Sequence, residues 1–271
     1  MATESYEDFN KFFRLVPADT IELKEQSFRL RYQVYCLETG FERREDFPDG
    51  MEKDEYDSSS DHYLIQHTKT GSFAATTRLI LPDTQNLESP FPMERFTIIE
   101  RTDILQAIPR LNLSEASRFC VSKNFKRRAG EAGTLAGIPT LPETRPNEEE
   151  RRTFPILTIA LFTALVRMSR AHNITHWVAV AEPALLRFLS SLGINFIPIG
   201  PVTNYHGMRQ PCIIEIQHML DNVRQKKPSA WNLLTDYGLH SHSSADRLFC
   251  SGAPTAQEQP HKPSLITNTE S

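Results

Sequence analysis

Glu115 and Arg118 are two opposite charges that stand three residues apart in a short apolar stretch, SEASRFCV, at residues 114–121. A carboxylate in such a place can act as a general base. In a regular strand, however, residues three apart point to opposite faces. The stretch therefore predicts either a β-bulge or two charges that serve two different surfaces. An ordinary cross-strand ion pair is the structural alternative.

Further charged candidates lie in three other segments. Asp54 and Asp57 stand three residues apart in a long acidic segment, residues 41–61, and loops of that length tend to be functional or disordered. Arg31 lies in a segment with helical spacing, and Arg78 lies in the apolar stretch AATTRLI. Their structural alternatives are solvated loop charges for the two acids and surface positions for the two arginines.

The overall charge argues against two classes of partner. The chain of 271 residues has a formal net charge of −4, which gives no attraction to nucleic acid or to an anionic membrane. A local basic run is the exception, and it consists of Lys126, Arg127 and Arg128. We read it either as an anion-binding patch or as a solvated charge run.

The cysteines and the apolar runs indicate a cytoplasmic protein with reduced thiols and without a metal site. The four cysteines show no CxxC spacing and form no ligand cluster with the nine histidines. The opening residues MATESYEDFNKFF lack the apolar core of a signal peptide. The longest uncharged apolar run, residues 155–166, is shorter than the roughly 20 residues that span a bilayer.

Hydrophobic periodicity predicts an alternation of helices and strands. Helices are predicted at residues 20–40, 153–172 and 182–192. Strands are predicted at residues 62–67, 72–81, 114–122, 174–181, 195–199 and 212–216. A strand–helix–strand unit at residues 114–181 requires a parallel crossover, whereas the hairpins require antiparallel pairs. The pattern therefore predicts an α/β fold with a mixed sheet and helices on both faces.

Composition also predicts the domain organisation. Residues 1–228 form one domain, in which residues 123–152 are a loop or insertion rich in glycine, proline and charge. Residues 229–271 are rich in Ser, His, Thr, Pro and Gln, and they predict a polar, disordered C-terminal tail.

The order of these elements and charges resembles the Gcn5-related N-acetyltransferase (GNAT) superfamily over roughly residues 20–220. Within it, the chain is most similar to the branch of acyl-homoserine-lactone synthases and N-acyl amino acid synthases. The length and the insertion resemble most the acyltransferases of the PEP-CTERM/exosortase system. The positions that carry the resemblance are Arg31, Tyr35, Phe41, Asp54, Asp57, Arg78, Glu115 and Arg118.

The resemblance implies a GNAT-like splayed sheet whose gap holds an acyl thioester. Glu115 would then be the general base for the attacking amine. Arg118 would pair with Asp57 and with Asp54, which would fix the acidic segment over the donor pocket. Arg31 and Arg78 would complete this cluster.

The resemblance also implies roles for neighbouring groups. Backbone N–H groups near Val121 and Ser122 would polarise the thioester carbonyl. Tyr205 would line the pocket and protonate the leaving thiolate, with a turn residue as its alternative. The family has tryptophan where this chain has Phe41, and that departure makes an amino acid or another small amine at least as suitable an acceptor as S-adenosylmethionine.

The acyl donor is predicted from two segments. Lys126, Arg127 and Arg128 would meet the phosphate of a pantetheine arm or an acidic carrier protein. The stretch NEEERRTF, residues 147–154, has acids and no glycine where the superfamily usually cradles a pyrophosphate. Both features favour an acyl carrier protein thioester as co-substrate, with no permanently bound cofactor.

The sequence thus predicts an N-acyltransferase that moves a fatty acyl group from an acyl carrier protein to the amine of an amino acid or similar small amine. Three alternatives stay open. One is an acyl-homoserine-lactone synthase that uses S-adenosylmethionine. Another is a non-catalytic regulator of the same fold that binds an acyl ligand or carrier protein. The third is a conventional acetyltransferase that uses acetyl-coenzyme A.

Overall fold

The computed structural model describes residues 9–126, 148–204 and 207–241, with the side chains of residues 126 and 148–154 excepted. The strands of the described part are β1 Phe13–Pro17, β2 Ser60–His67, β3 Phe73–Ile80, β4 Leu113–Val121, β5 His176–Ala181, β6 Ile197–Pro198, β7 Thr203–Asn204 and β8 Met208–Glu215. The α-helices are α1 Phe9–Phe12, α2 Ile21–Tyr32, α3 Pro92–Phe96, α4 Thr102–Gln106, α5 Lys123–Lys126, α6 Glu148–Ala171, α7 Pro183–Ser191, α8 Ile216–Lys226 and α9 Pro228–Thr235.

The strands form one mixed sheet in the order β1-β2-β3-β4-β5-β8-β6, and β7 pairs with β8. The β4–β5 pair is parallel, and every other pair is antiparallel. The parallel pair is the predicted crossover through α6, and β2 and β3 form the predicted hairpin. The predicted α/β fold with a mixed sheet is therefore confirmed.

Helices cover both faces of the sheet because neighbouring strand residues point in opposite directions. On β2, Leu64 packs with Leu30 and Val34 from the α2 side. The next residue, Ile65, packs with Leu157 and with other apolar residues of α6. The sheet thus lies between α2 on one face and α6 on the other, as the sequence predicts.

The C-terminal boundary differs from the prediction. Residues 229–235, assigned to a disordered tail, belong to α9, which packs against α6 and α8. Trp231 and Leu234 are buried in the main core, and Arg224 stacks on the Trp231 ring at 4.6 Å. A helix of eight residues shows too few turns for its apolar period to be recognised. The rest of the predicted tail, from residue 242, lies outside the described residues.

The sequence reading also missed β1, α8 and several shorter elements, namely α1, α3, α4, α5 and β7. It started the long apolar helix at Thr153 instead of Glu148. Of the predicted insertion, residues 127–147 lie outside the described residues. None of the described helices has the length and apolar character that crossing a membrane requires.

Candidate active site

A β-bulge interrupts β4 at Arg118. Along the antiparallel β3–β4 pair, Thr76 faces Cys120 but Arg78 faces Ser117, so two residues of β4 stand opposite one residue of β3. Arg118 takes a left-handed backbone conformation with φ of +50°. Such a bulge bends a strand and re-aims its side chains. Of the two possibilities that the sequence leaves open, the structure contains the bulge.

The sheet opens next to this bulge. The parallel pairing of β4 with β5 extends only from Leu113 opposite His176 to Glu115 opposite Val178. Beyond that point, β5 stays paired with β8 and β4 stays paired with β3, so the two strands diverge. A cavity of about 110 Å³ lies in the gap, and both Glu115 and Arg118 line it.

The wall of this cavity, which we call the cleft, has both apolar and polar parts. Apolar side chains from β4, α6, α7 and the following loop form one part of the wall: Phe119, Phe162, Leu165, Leu185, Leu189 and Phe196. Phe162 anchors this part, with ring centroids 5.4 Å from Phe119 and 6.4 Å from Phe196. Polar and aromatic side chains form the rest, among them Tyr35, Phe41, Glu42, Glu182 and Arg209. The cleft therefore offers an apolar lining next to charged groups.

Glu115 is the buried acid of the cleft. Only 4% of its surface is exposed, and its Oε2 accepts a hydrogen bond of 2.8 Å from the backbone N–H of Met93. Burial raises the pKa of Glu115 to about 7, although the Met93 N–H, Arg78 and Arg118 oppose the shift. A carboxyl group with this pKa can accept and return a proton near neutral pH.

Six charged side chains gather beside the bulge, and we call them the charge cluster: Arg31, Arg78, Arg118, Glu52, Asp54 and Asp57. Three cations face three anions, so their formal charges cancel. Arg31 comes from α2, Arg78 from β3 and Arg118 from β4, while the three acids come from the acidic segment before β2. The cluster thus ties that segment to the sheet.

Arg31 and Arg78 form the buried half of the charge cluster. Arg31 donates from Nε to Glu52 Oε2 at 2.5 Å and binds both carboxylate oxygens of Asp57 at 2.6 and 3.1 Å. Arg78 donates from Nη1 to Asp54 at 2.5 Å and to Asp57 at 2.7 Å, and its Nε donates to Ser117 Oγ at 3.0 Å. Every one of these bonds has a charged donor, which makes them stronger than neutral ones.

Arg118 forms the outer half. Its Nη2 donates to Glu52 at 2.9 Å and to Asp54 at 3.0 Å, and its guanidinium lies over the Tyr35 ring at 5.7 Å from the centroid. The predicted pair of Arg118 with Asp57 is therefore wrong, because Asp57 bonds to Arg31 and Arg78 instead. The predicted contact of Arg118 with Asp54 is present.

Two acids of the charge cluster, Glu52 and Asp57, stay ionised. Burial opposes ionisation of Glu52, but Arg31 and Arg118 outweigh it and hold the pKa of Glu52 at about 2. Burial also opposes ionisation of Asp57, yet Arg31 and Arg78 hold its pKa well below the usual range. The Oδ2 atom of Asp57 also accepts the backbone N–H of Asp54 at 2.8 Å.

Sequence reasoning missed two members of this region. Glu52 binds both Arg31 and Arg118, and the signal for it was the surplus of buried arginines over the two predicted aspartates. His62 lies on β2 with Nε2 at 3.6 Å from Asp57, and its ring packs edge-on to Phe28. Burial, with the charges of Arg31 and Arg78, lowers the pKa of His62 to about 4, so it is neutral at pH 7.

The predicted N–H donors near Val121 and Ser122 are elsewhere. Val121 is fully buried against Leu157 of α6 and does not line the cleft. The backbone N–H of Ser122 donates to the Ala74 carbonyl at 2.8 Å, so it is already used by the sheet. Regular pairing with β3 thus resumes after the bulge and takes these residues away from the gap.

The remaining predicted site residues are Phe41, Lys126, Arg127, Arg128 and Tyr205. Phe41 lines the cleft, and the Arg209 guanidinium lies over its ring. Lys126 ends α5, but its side chain is not described. Arg127, Arg128 and Tyr205 lie outside the described residues. Among the side chains that are described, no group of three or more His, Cys, Asp or Glu is arranged to hold a metal ion.

Comparison with known proteins agrees with this geometry. Residues 30–136 match the family model of an acetyltransferase (GNAT) domain. The match includes the whole charge cluster, the bulge of β4 and Glu115. The GNAT resemblance on which the sequence reading rests is therefore confirmed.

Curated relatives narrow the kind of GNAT protein. The chain is 25% identical to an acyl-homoserine-lactone synthase of Vibrio anguillarum over 71% of its own length and 82% of the relative's. It is 27% identical to an acyl-homoserine-lactone synthase of Aliivibrio fischeri over 63% of its own length and 73% of the relative's.

Solved structures with the same fold include an acyl-homoserine lactone synthase and an N-acyl amino acid synthase. A CoA-dependent acyl-homoserine lactone synthase, solved with SAM and isopentyl-CoA, superposes with a TM-score of 0.51 at 19% identity, over 86% of this chain and 90% of that one. FeeM, an N-acyl amino acid synthase from uncultured soil microbes, gives a TM-score of 0.50 at 13% identity, over 79% and 97%. These relatives and neighbours are acyltransferases, and the predicted enzyme class is confirmed.

Proposed function

We propose that this GNAT protein is an N-acyltransferase that moves a fatty acyl group from an acyl carrier protein thioester to the amine of an amino acid or a similar small amine. The observation that carries the proposal is Glu115: a buried carboxyl group with a pKa of about 7, in a cleft between diverging strands. An amine must lose a proton to become an amide, and a base tuned to neutral pH is suited to take it.

The shape of the cleft supports an extended acyl donor. Beyond Glu115, none of the described strands pairs with β4 on its β5 side, so an extended thioester arm can lie there like an added strand. The apolar wall around Phe162 then receives the acyl chain, because burying methylene groups there is favourable by about 0.8 kcal/mol each.

The chemical step needs few protein groups. The amine nitrogen attacks the thioester carbonyl carbon, the new C–N bond forms, and the C–S bond breaks. Glu115 accepts the proton that the amine loses, and the leaving thiolate takes up a proton in turn. No covalent enzyme intermediate is needed, since a thioester is already activated; the cleft supplies proximity and a base.

The choice of carrier protein over coenzyme A rests on the start of α6. The first three residues of that helix are Glu148, Glu149 and Glu150, which disfavour a pyrophosphate at its N-terminus. The basic run of Lys126, Arg127 and Arg128 precedes this helix in the chain and would favour an anionic carrier protein.

The function is tested by incubating the protein with acyl carrier protein thioesters and coenzyme A thioesters of several chain lengths. Amino acids and S-adenosylmethionine are offered together as amines, and products are followed by mass spectrometry. We expect N-acyl amino acids, formed from the carrier protein thioesters. Absence of an amide with every donor and amine contradicts the proposal.

A second candidate is acyl-homoserine-lactone synthesis from S-adenosylmethionine. It is favoured by both curated relatives, which are synthases of that kind. The same incubation separates the two, because this reaction yields an N-acyl-homoserine lactone and methylthioadenosine in equal amounts. Phe41, which stands where the family has tryptophan, favours the first candidate.

A further inference from the structure

Arg209 differs from the three arginines of the charge cluster. It lies on β8, lines the cleft together with Glu115, and places its guanidinium carbon 5.8 Å from the centroid of the Phe41 ring. Its Nε atom is shielded from solvent and has no hydrogen-bond acceptor among the described residues. None of the ion pairs found in the described part of the chain includes Arg209.

An arginine in this state is suited to an anionic ligand. Arg209 as a whole is half-buried, but its shielded Nε lacks an acceptor, which is costly, and an arriving carboxylate would supply one. The Phe41 ring holds the guanidinium plane by a cation–π contact without using its N–H donors. The donors thus stay available for a planar anion, which an arginine binds with two parallel hydrogen bonds.

The cleft therefore holds two recognition groups of opposite kind, Glu115 for an amine and Arg209 for an anion. We propose that Arg209 binds the carboxylate of the acceptor, so that the acceptor is an α-amino acid rather than a simple amine. The inference rests on the proposed function, since it assigns the acceptor of that reaction. Glu115 takes the proton of the amine while Arg209 fixes the carboxylate of the same molecule.

The test compares each free amino acid with its carboxamide, which keeps the amine and the side chain but loses the negative charge. The probes are leucine, phenylalanine, tyrosine and methionine. We expect the wild-type protein to acylate the free acids with a kcat/KM about 10- to 100-fold higher than that of the carboxamides, the range typical of a charged hydrogen bond.

Three variants assign this preference to Arg209. Arg209→Gln should lower kcat/KM for the free acids by the same factor, while KM for the acyl donor and kcat/KM for the carboxamides stay unchanged. Arg209→Lys should keep part of the preference, because it keeps the charge but loses the planar fork. Arg14→Gln, the same chemical change on the edge strand β1, should behave like the wild type.

Two results would overturn the inference while leaving acyl transfer intact. In one, the wild type uses acids and carboxamides equally. In the other, Arg209→Gln raises KM for the acyl donor at an unchanged acid-to-carboxamide ratio, which would assign Arg209 to a donor phosphate. Calorimetric titration of both probe sets without a donor adds a readout that is independent of turnover. Free acids that bind no better than carboxamides contradict the inference even if no amide forms.

Discussion

The charge cluster and the cleft meet at the bulge of β4, and they differ in how their buried carboxylates are paired. In the charge cluster, each of the carboxylates of Glu52, Asp54 and Asp57 contacts two arginines. In the cleft, the Glu115 carboxylate has one close donor among the described residues, the backbone N–H of Met93. The first arrangement lowers the pKa values of Glu52 and Asp57, and the second lets burial raise the pKa of Glu115 to about 7.

Two side chains of β4 that stand three residues apart, Arg118 and Glu115, therefore belong to regions with different properties: the charge cluster stabilises the structure, and the cleft is suited to proton transfer. A carboxylate that is saturated by guanidinium groups is a poor base, because its proton affinity is low and its lone pairs are used. A carboxylate that is desolvated but left almost unpaired has the proton affinity that catalysis near neutral pH requires. The bulge makes this possible, since it directs Arg118 to the charge cluster while Glu115 keeps its place in the cleft.

Replacing Glu115 by glutamine should have the largest effect of all, because it removes the proton acceptor of the cleft. We expect kcat to fall about 10²- to 10⁴-fold, the usual contribution of a general base, while the amide oxygen of the new side chain can still accept the Met93 N–H. Amide formation by mass spectrometry and thermal unfolding are the two measurements. Glu115→Asp, which keeps the carboxylate on a shorter side chain, should lose less activity. If Glu115→Gln lost activity only to the extent that it unfolded, Glu115 would have a structural role instead of a catalytic one.

Replacing Asp57 by asparagine should disrupt the charge cluster and lower the stability of the fold. It leaves Arg31 and Arg78 buried with one anion fewer, and removing one partner of a buried ion pair costs about 3–5 kcal/mol. Urea denaturation should therefore show a large loss in the free energy of unfolding. The residual folded fraction should retain the pH profile of the wild type, because Glu115 is untouched. A variant of normal stability without activity would move Asp57 to the chemistry.

Dependence on pH should separate the two regions in one protein. Because the pKa of Glu115 is raised to about 7, its base form is lost as pH falls, and kcat/KM should drop about tenfold per pH unit below 7. That raised pKa favours folding only at low pH, and this contribution is lost as pH rises through 7.

The charge cluster behaves in the reverse manner. Glu52, Asp57 and the neighbouring His62 have lowered pKa values, so their contribution to stability is present above the unfolded values, about 4.5, 3.8 and 6.5, and is lost as pH falls. Activity should therefore decline from pH 7 downward, while the main loss of stability follows at lower pH. Activity and unfolding curves that coincide would contradict this separation.

The charge cluster could be predicted only in part from the sequence. The resemblance to the family assigns four of its members, because their order and the elements that carry them match the family's pattern: Arg31, Asp54, Asp57 and Arg78. Glu52 could not be predicted, because residues 41–61 contain nine acidic residues and only the folded path of the segment decides which ones meet arginines. The pairing of Arg118 failed for a similar reason, since the bulge that aims this side chain depends on the register with β3.

The fold shows the same limit at its edges. The hairpin and the parallel crossover follow from long periodic segments, whereas β1, α8 and α9 are short or mixed in composition and gain their order from packing. Arg209 gave no signal either, because a single arginine shortly before a predicted strand takes on a role only when β8 places it in the cleft with Glu115.

The smallest expected effect concerns an ion pair at the surface, which serves as a comparison for the buried pairs of the charge cluster. Glu55 stands next to Asp54 in the same acidic segment and pairs with Arg95 at 3.1 Å, with both side chains well exposed. Water already solvates both groups, so Glu55→Gln should change the free energy of unfolding by no more than about 1 kcal/mol. Asp57→Asn and Glu55→Gln remove the same charge two residues apart, and urea denaturation measures both. If the two variants lost equal stability, burial would not be what distinguishes the charge cluster, and the contrast with Glu115 would lose its physical basis.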